Sequence, residues 1–382
     1  MLMGACSLAA LLTFTINWLA LFPWRRAEDQ HWTERARLLH PVRSVAAVNL
    51  WVLPVILTIA ALLLWPNKSP HWMLMVFATA FGTVGGTVPL DHEVFPRASL
   101  SELLRLVAIG WLIRFALWFV FLSAIALSPE KLNAWSFAVV AAVLALVIFW
   151  NNKGWIWTGR KLGLFLPPPE NLKRIVQDTA AGMQVSVREL WLMRSLGAQA
   201  MAMPATRTVF FTERTLQILS ENEIAAICAH ELAHLAEAKT DYYKRYIQWL
   251  MFLPWLLVKP VVHVCGPLGI AILLLATSVV PRLYRSISHK LELRADQKAK
   301  AEERDPGIYA QALARLYEDN LLPAVTAKRG THPHLYDRLV AAGMTPDFPR
   351  PAAASSTTWY GYLLGGLMGL LAALLVGNYF KP

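Results

Sequence analysis

Two histidines separated by three residues form the clearest chemical pattern in this chain, His230 and His234 in the run AAICAHELAHLAEA. On a helix, residues four apart lie one turn above the other on the same face, so the two imidazoles can bind a single cation. Glu231 projects from the flank of this pair, where a carboxylate can reach a metal-bound water without being a ligand. The pattern therefore indicates a divalent metal site that activates water. The alternative is a buried helix whose histidines are satisfied by hydrogen bonds.

Such a site needs a third ligand, because a catalytic zinc uses three protein ligands and keeps its fourth position open. Glu292, in the helical stretch KLELRAD, is the candidate, and Asp296 lies four residues further along on the same face. Glu292 can then bind the metal while Asp296 hydrogen-bonds the outer ring nitrogen of a liganding histidine. The alternative here is a solvated acidic face with Arg294 and Lys298 as its salt-bridge partners.

The composition indicates that much of the chain meets lipid. Of its 382 residues 56% are hydrophobic and 16% are charged, whereas an average soluble domain is about a quarter charged. A helix needs about 20 consecutive apolar residues to cross a bilayer core. Eight segments with few or no charged residues predict eight transmembrane helices: Leu2–Trp24, Ser44–Asn67, Ser69–Leu90, Leu103–Leu127, Leu132–Asn152, Tyr246–Val264, Pro267–Pro281 and Trp359–Phe380.

The basic residues predict the orientation of these helices. Positively charged short loops stay in the cytoplasm, and the first loop holds five arginines: Arg25, Arg26, Arg35, Arg37 and Arg43. Alternation from that loop places the polar regions 153–245 and 282–357 in the cytoplasm. The net charge of +11 then reflects this topology and anionic lipid at the inner surface. Because no basic motif with interleaved aromatic residues is present, we expect the lipid bilayer as a partner and no nucleic acid.

The three cysteines, Cys6, Cys228 and Cys265, lie in apolar surroundings without CxxC spacing. We therefore expect neither a disulfide framework nor a thiolate zinc site. Cys228 precedes His230 by two residues, which on a helix turns its side chain away from the face that the histidines share. Packing in the core is the expected role of Cys228.

The first polar region contains short strands before the histidine helix. Val185–Met193 alternates and is rich in strand formers, and Thr208–Thr212 forms a second short strand. Between them lies GAQAMAMP, a flat segment of small residues. A helix then runs from about residue 216 to 237, with Ser220 and Glu223 forming a capping box at a restart. The histidine pair therefore lies well inside a helix.

The second polar region is predicted to be helical over residues 286–304 and 306–320, followed by the loop KRGTHPHLYDR. Two apolar spans separate the two regions, so a catalytic domain split by a membrane hairpin is the natural interpretation. The predicted fold is a mainly α polytopic membrane protein with a cytoplasmic α+β domain. Its predicted parts are a five-helix transmembrane region (1–152), the first catalytic part (153–245), a transmembrane hairpin (246–284), the second catalytic part (285–350) and a C-terminal transmembrane helix (351–382).

Several motifs together resemble a known family. HELAH with ELRAD downstream, the preceding FFTERTL and SENEIAAICA, and the following THPHLYDR are similar to the membrane-bound zinc endopeptidases that include HtpX-type proteases and type 1 CaaX prenyl proteases. The resemblance covers roughly residues 170–340. It implies a zincin-like metalloprotease domain that binds one zinc ion.

The resemblance also implies roles for individual residues. His230, His234 and Glu292 would bind zinc, Glu231 would be the catalytic base, and Asp296 would be a supporting acid or proton donor. The segment Gln199, Ala200, Met201 and Ala202 falls where the family shows N-A-F/x-A on an edge strand that faces substrate, with glutamine in place of asparagine. In THPH, Thr331, His332, Pro333 and Arg338 match the family, and His334 departs from its THPP; His332, His334 or Arg338 could stabilise the oxyanion.

These inferences predict a zinc endopeptidase that hydrolyses membrane-associated or misfolded proteins at the cytoplasmic face of an integral, multi-pass membrane protein. In a bacterial cell this would be the inner membrane. One alternative is a processing protease for a defined, lipidated tail of the CaaX type. Another is a catalytically silent membrane scaffold of the same fold. A transporter is disfavoured because paired broken helices are missing from the predicted spans.

Overall fold

The computed structural model describes residues 2–46, 72–237, 253–303, 305–327 and 332–355. The chain is mostly helical with one small sheet. Residues 32–46 are helical and are called α3. The other α-helices are α1 Leu2–Ala20, α2 Phe22–Arg25, α4 Trp72–Val94, α5 Leu100–Leu127, α6 Ala134–Phe149, α7 Trp155–Lys161, α8 Glu170–Gly182, α9 Glu213–Ile218, α10 Glu221–Leu235, α11 Val258–Cys265, α12 Pro267–Glu302, α13 Ile308–Asp319 and α14 Leu335–Ala341.

Contacts divide the chain into two compact units. The first comprises Met1–Ala108, Leu321–Lys328 and Phe348–Pro382, and the second comprises Ile109–Asn320 and Arg329–Asp347. The division falls within α5, whereas the sequence predicted region boundaries at 152, 245, 284 and 350. Those regions stay a prediction.

In the first unit, α1 and α4 pack closely through small residues. Gly82 and Gly86 are four apart on α4, and a Cβ on Gly86 would lie 2.5 Å from the carbonyl oxygen of Ala10. Thr13 of α1 is fully buried beside Gly86. Helices in lipid associate in this way, because small residues let two backbones approach where apolar side chains gain nothing over lipid. The pair α1–α4 therefore has packing typical of membrane helices.

In the second unit, four strands form a sheet of order β1-β2-β4-β3. The strands are β1 Phe165–Leu166, β2 Glu189–Met193, β3 Ala200–Met203 and β4 Thr208–Thr212. β2 and β4 are parallel, while β3 pairs antiparallel with β4 and lies at the edge of the sheet. The two strands predicted from the sequence are thus present, and the segment of small residues between them contributes a further strand.

One face of the sheet rests on the helix that precedes it. α6, a π-helical turn at Trp150–Gly154 and α7 follow one another without a break. Ile156 of α7 packs with Phe165 and Phe210 of the sheet. Gly159 permits this approach, because a Cβ at that position would overlap the ring of Phe165. A single helical rod therefore supports the sheet.

The histidine-bearing helix α10 lies at the centre of the second unit, packed against α12, α13, α8 and β3. The predicted capping box is confirmed: Ser220 Oγ accepts a hydrogen bond from the Glu223 backbone, and Glu223 Oε2 accepts one from the Ser220 backbone at 2.8 Å. The single helix predicted from residue 216 is divided by this cap into α9 and α10. The cap fixes the start of the helix that carries the site.

Helix α12 is longer than predicted. The sequence suggested a span ending at Pro281 and a new helix beginning at Ser286, but the structure has one unbroken helix from Pro267 to Glu302. Pro281 lacks a backbone N–H and removes one hydrogen bond inside this helix, yet the helix continues past it, and the change from apolar to charged residues does not itself end a helix. The predicted hairpin and the predicted acidic helix thus share one element.

Among the described residues, two helices are long and apolar enough to cross a membrane, Leu2–Ala20 and the rod Ala134–Lys161. Pro254–Cys265 and Leu268–Thr277 are apolar but shorter. These helices give a weak indication of membrane association. Most of the second predicted span, residues 246–252 of the sixth and all of the eighth lie outside the described residues, so the predicted eight spans stay a prediction.

Candidate metal centre

The two histidines of α10 face each other one turn apart. The ring centroids of His230 and His234 are 4.9 Å apart and the rings are perpendicular. His230, Glu231 and His234 are all buried, with exposed fractions of 7%, 9% and 6%. Polar side chains at this depth need partners, because burial without them is costly. The partners come from α12, α13, α14 and the residues that directly follow α10.

Glu292 of α12 is the third residue of the cluster that contains His230 and His234. Its Oε2 lies 3.5 Å from His230 Nε2 and its Oε1 lies 3.5 Å from His234 Nε2. One ligand atom from each of the three residues lies within 4.8 Å of the others. In a tetrahedral zinc site with bonds of about 2.0–2.1 Å, neighbouring ligand atoms are about 3.3–3.4 Å apart. The separations and the donor set of two imidazoles and a carboxylate therefore fit a zinc ion.

His230 is held from behind by a polar network. Its Nδ1 lies 2.9 Å from Tyr309 Oη and 3.1 Å from Asp296 Oδ1. Tyr309 donates its hydroxyl proton to Asp296 Oδ1 at 2.6 Å, so His230 Nδ1 is left to act as a donor. This arrangement places the proton on Nδ1 and directs the lone pair of Nε2 towards Glu292. The sequence-based expectation that Asp296 contacts the outer nitrogen of one of these histidines agrees with the geometry.

Arg338 neutralises the charge of this network. Its Nε donates to Asp296 Oδ2 at 2.8 Å and its Nη2 donates to Asp296 Oδ1 at 2.7 Å. Nη2 also donates to Tyr309 Oη at 2.9 Å. Two parallel bonds to one carboxylate are the strong form of the arginine–carboxylate pair. Arg338 thus lies behind His230 and buttresses Asp296.

His234 has a different support. Its Nδ1 lies 2.7 Å from Glu237 Oε1, and both side chains are 8% exposed. The sequence analysis did not single out Glu237, although it follows His234 by three residues. The helix predicted from the sequence reaches residue 237, so the three-residue spacing is the signal that could have identified Glu237 as a partner of His234. A carboxylate at this position fixes the tautomer and raises the basicity of a liganding imidazole.

These contacts shift the protonation equilibria of the metal-free protein. Burial lowers the pKa of His230, but hydrogen bonds with Asp296 and Glu292 outweigh it and raise the pKa to about 9. Burial raises the pKa of the Glu292 and Asp296 carboxyl groups, but hydrogen bonds from His230 lower it by more. His332 adds to this effect at Glu292, and Arg338 adds to it at Asp296. The pKa values of both carboxyl groups therefore lie well below their usual range. Without a metal the carboxylates are anionic and His230 binds a proton, which a cation can replace.

The loop before α14 brings a further histidine to the group. His332 Nδ1 lies 2.8 Å from Glu292 Oε2, and 55% of its side chain is exposed. His334 is the residue that directly precedes α14, and it is partly buried. Thr331 lies outside the described residues. Of the three residues considered as stabilisers of the oxyanion, His332 contacts Glu292 of the cluster and Arg338 contacts Asp296.

The edge strand β3 contains Ala200, Met201 and Ala202, with Gln199 just before it. Gln199 is fixed through its backbone, whose N–H donates to Thr212 Oγ1 and whose carbonyl accepts from the Thr212 N–H, both at 2.9 Å. The side chains of Met201 and Met203 pack on the aromatic face that includes Phe210. The predicted substrate segment is thus an edge strand, and α10 packs beside it.

Asn320 anchors the segment that leads into this strand. Its Oδ1 accepts from the Ala198 N–H at 2.9 Å, and its Nδ2 donates to the Ala198 carbonyl at 2.6 Å. A Cβ on Gly197 would overlap Asn320 Oδ1. The sequence gives no indication of these contacts, because Asn320 follows Ala198 by 122 positions.

Cys228 is fully buried and is a free thiol, and burial is the main cause that raises its pKa above the usual range. It is not part of the three-residue cluster. The expectation that Cys228 packs in the core is confirmed. Cys6 and Cys265 are also free thiols.

Two histidines on one helix completed by a glutamate from a second helix define a metallopeptidase-type centre. Residues 168–344 match the model of Peptidase family M48. The resemblance predicted from the sequence is confirmed over these residues. The family indicates a metallopeptidase, a hydrolase whose substrates are proteins or peptides. A comparison with curated proteins finds no match.

Proposed function

We propose that this chain is a membrane-embedded zinc metalloendopeptidase that cleaves membrane-associated or misfolded proteins at the cytoplasmic face. The observation that carries the proposal is the cluster of His230, His234 and Glu292, in which a Glu292 oxygen lies 3.5 Å from Nε2 of each histidine, close to the separation of neighbouring ligands in a tetrahedral zinc site. One zinc ion would be held by these three residues. The catalytic region would lie within residues 153–245 and 285–350, and membrane spans would form the rest.

A bound zinc would supply a Lewis acid that lowers the pKa of water and polarises the scissile carbonyl. Glu231, buried one residue from His230, would take a proton on its carboxylate and later deliver that proton to the leaving amine. Asp296, held by Arg338, would keep the proton of His230 on Nδ1.

Substrate would lie extended along β3, because an edge strand offers backbone groups to an added strand. Backbone hydrogen bonds depend little on the side chains of the substrate, so we expect low sequence specificity of cleavage. His332 is the candidate to stabilise the oxyanion, since its Nδ1 lies 2.8 Å from Glu292 and its side chain is exposed. With Nδ1 donating to that carboxylate, Nε2 donates only in the imidazolium form.

The substitution Glu231→Gln tests the proposed function. The variant should keep its zinc, because the carboxylate is not among the three ligands, and should lose casein cleavage by about 10²–10⁴-fold. Zinc content and proteolysis are measured together on purified protein in detergent. Wild-type rates in the zinc-loaded variant would contradict the role of Glu231. Wild-type protein that binds zinc without cleaving any protein would favour the scaffold alternative.

A further inference from the structure

Helix α12 passes from an exposed apolar segment into the metal centre. Along its first half, Leu268, Leu274 and Leu275 are 66%, 55% and 69% exposed. Further along the same helix, Leu291 and Ala295 are buried together with Glu292. Exposed leucines in such a row fit lipid rather than water. One continuous helix thus connects an exposed apolar segment with a residue of the candidate metal cluster.

The first charged residues after this apolar segment in the sequence are Arg282 and Arg285, and basic residues flank the ends of membrane-spanning segments, so the polar part of α12 begins at these positions. Glu292 follows these arginines by seven to ten residues. At a rise of about 1.5 Å per residue, Glu292 is about 10–15 Å further along the helix axis than the arginines.

The rod α6–α7 gives an independent measure of how far the catalytic region lies from the apolar part of a helix. Trp135, Phe137 and Phe149 are 59%, 60% and 55% exposed along its apolar part. The polar residues 151–153 follow, and Ile156 contacts the sheet only three residues after Lys153. At about 1.5 Å per residue, the sheet begins about 5 Å beyond the polar boundary. Both helices place the sheet and the cluster close to the membrane surface.

We propose that the metal centre stands about 10–15 Å above the hydrocarbon boundary, and that its substrates are the extended juxtamembrane segments of other membrane proteins. An extended chain covers about 3.3 Å per residue, so a substrate needs about three to five residues between its own membrane helix and the scissile bond. Bonds closer to the bilayer cannot reach the site. The inference rests on the proposed function, because it assigns that protease a substrate class.

Depth measurements test the placement of α12 without relying on catalysis. Spin labels are attached at Leu274→Cys and Gln297→Cys, both exposed positions on this helix, in full-length protein with Cys6 and Cys265 replaced by serine and reconstituted in liposomes. We expect the label at 274 to collide mainly with lipid-soluble oxygen and the label at 297 mainly with a water-soluble nickel chelate. Equal access of the nickel chelate to both labels would overturn the proposal.

A reporter pair tests the substrate class. One reporter is a casein segment that follows a single transmembrane helix directly, and the other is the same segment without the helix. In liposomes the anchored form should be cleaved at least about tenfold faster at equal concentration, because tethering raises the effective concentration. Mass spectrometry should find the first cleaved bond at least about three residues beyond the anchor.

The outcomes separate the two proposals. Cleavage directly at the anchor, or equal rates for the two reporters, would overturn the juxtamembrane inference while leaving the protease intact. If zinc-loaded protein cleaves neither reporter and matches its Glu231→Gln variant, the proposed function itself fails.

Discussion

The metal centre and the helix pair α1–α4 are both closely packed, but different interactions determine the packing in each. Around His230, buried charges are held in place by partners, with Asp296 bound by Arg338 at two oxygens. Between α1 and α4, contact is made where side chains are missing, at Gly82 and Gly86. The first region is specified by charges and hydrogen bonds, and the second by shape alone. Substitutions should therefore destabilise the two regions for different reasons: loss of a charged partner in the first and steric overlap in the second.

The largest effect should come from removing a charge at the centre. Arg338→Met leaves the buried carboxylate of Asp296 without its bidentate partner, which should lower the free energy of unfolding by about 3–5 kcal/mol. Denaturant unfolding in detergent measures the change. The matched control is Lys173→Met, which breaks an exposed pair with Glu170 and should change stability by less than about 1 kcal/mol. Equal losses in the two variants would mean that the network is not specified by charge.

A smaller effect should follow at the second histidine. Glu237→Ala removes the carboxylate 2.7 Å from His234 Nδ1 and should weaken zinc binding about 10–100-fold. Competition with a fluorescent chelator measures the affinity. Glu221→Ala, which removes an exposed carboxylate from the helix that carries His234, is the control and should leave the affinity unchanged. An affinity that does not change in Glu237→Ala would show that this carboxylate does not support the site.

A loss of similar size, but in stability, should appear between α1 and α4, where shape alone decides the packing. Gly86→Ala forces a Cβ towards the Ala10 carbonyl oxygen and should cost about 1–3 kcal/mol, whereas Gly85→Ala meets no atom within 4 Å. Thermal unfolding in detergent compares the two variants. The structure predicts a lower midpoint for Gly86→Ala only. The same midpoint for both variants would mean that α1 and α4 do not touch at this glycine.

Local patterns explain what the sequence could predict. The histidine pair follows from helical spacing, the capping box from Ser220 and Glu223, and the two central strands from alternation. Glu292 and Asp296 share a face of one helix, which the sequence also suggested. Each of these inferences uses residues within a few positions of one another.

The remaining features depend on contacts between distant parts of the chain. Tyr309 reaches His230 across 79 positions, and Asn320 reaches Ala198 across 122. No spacing rule encodes such contacts, since they arise only when helices pack. The unbroken α12 was missed because a change in polarity was interpreted as a change of element. Gly82 and Gly86 were also missed, because their role becomes visible only opposite the backbone of α1.

The most direct test of the metal centre is X-ray absorption at the zinc edge on zinc-loaded protein, compared between wild type and Glu292→Ala. The wild type should show a shell of about four nitrogen and oxygen atoms at about 2.0–2.1 Å with outer scattering from two imidazoles. The variant should lose zinc affinity or lose one oxygen ligand while keeping the imidazole signal. Sulfur scattering in the wild type, or identical affinity and spectra for the two proteins, would contradict the three-residue centre.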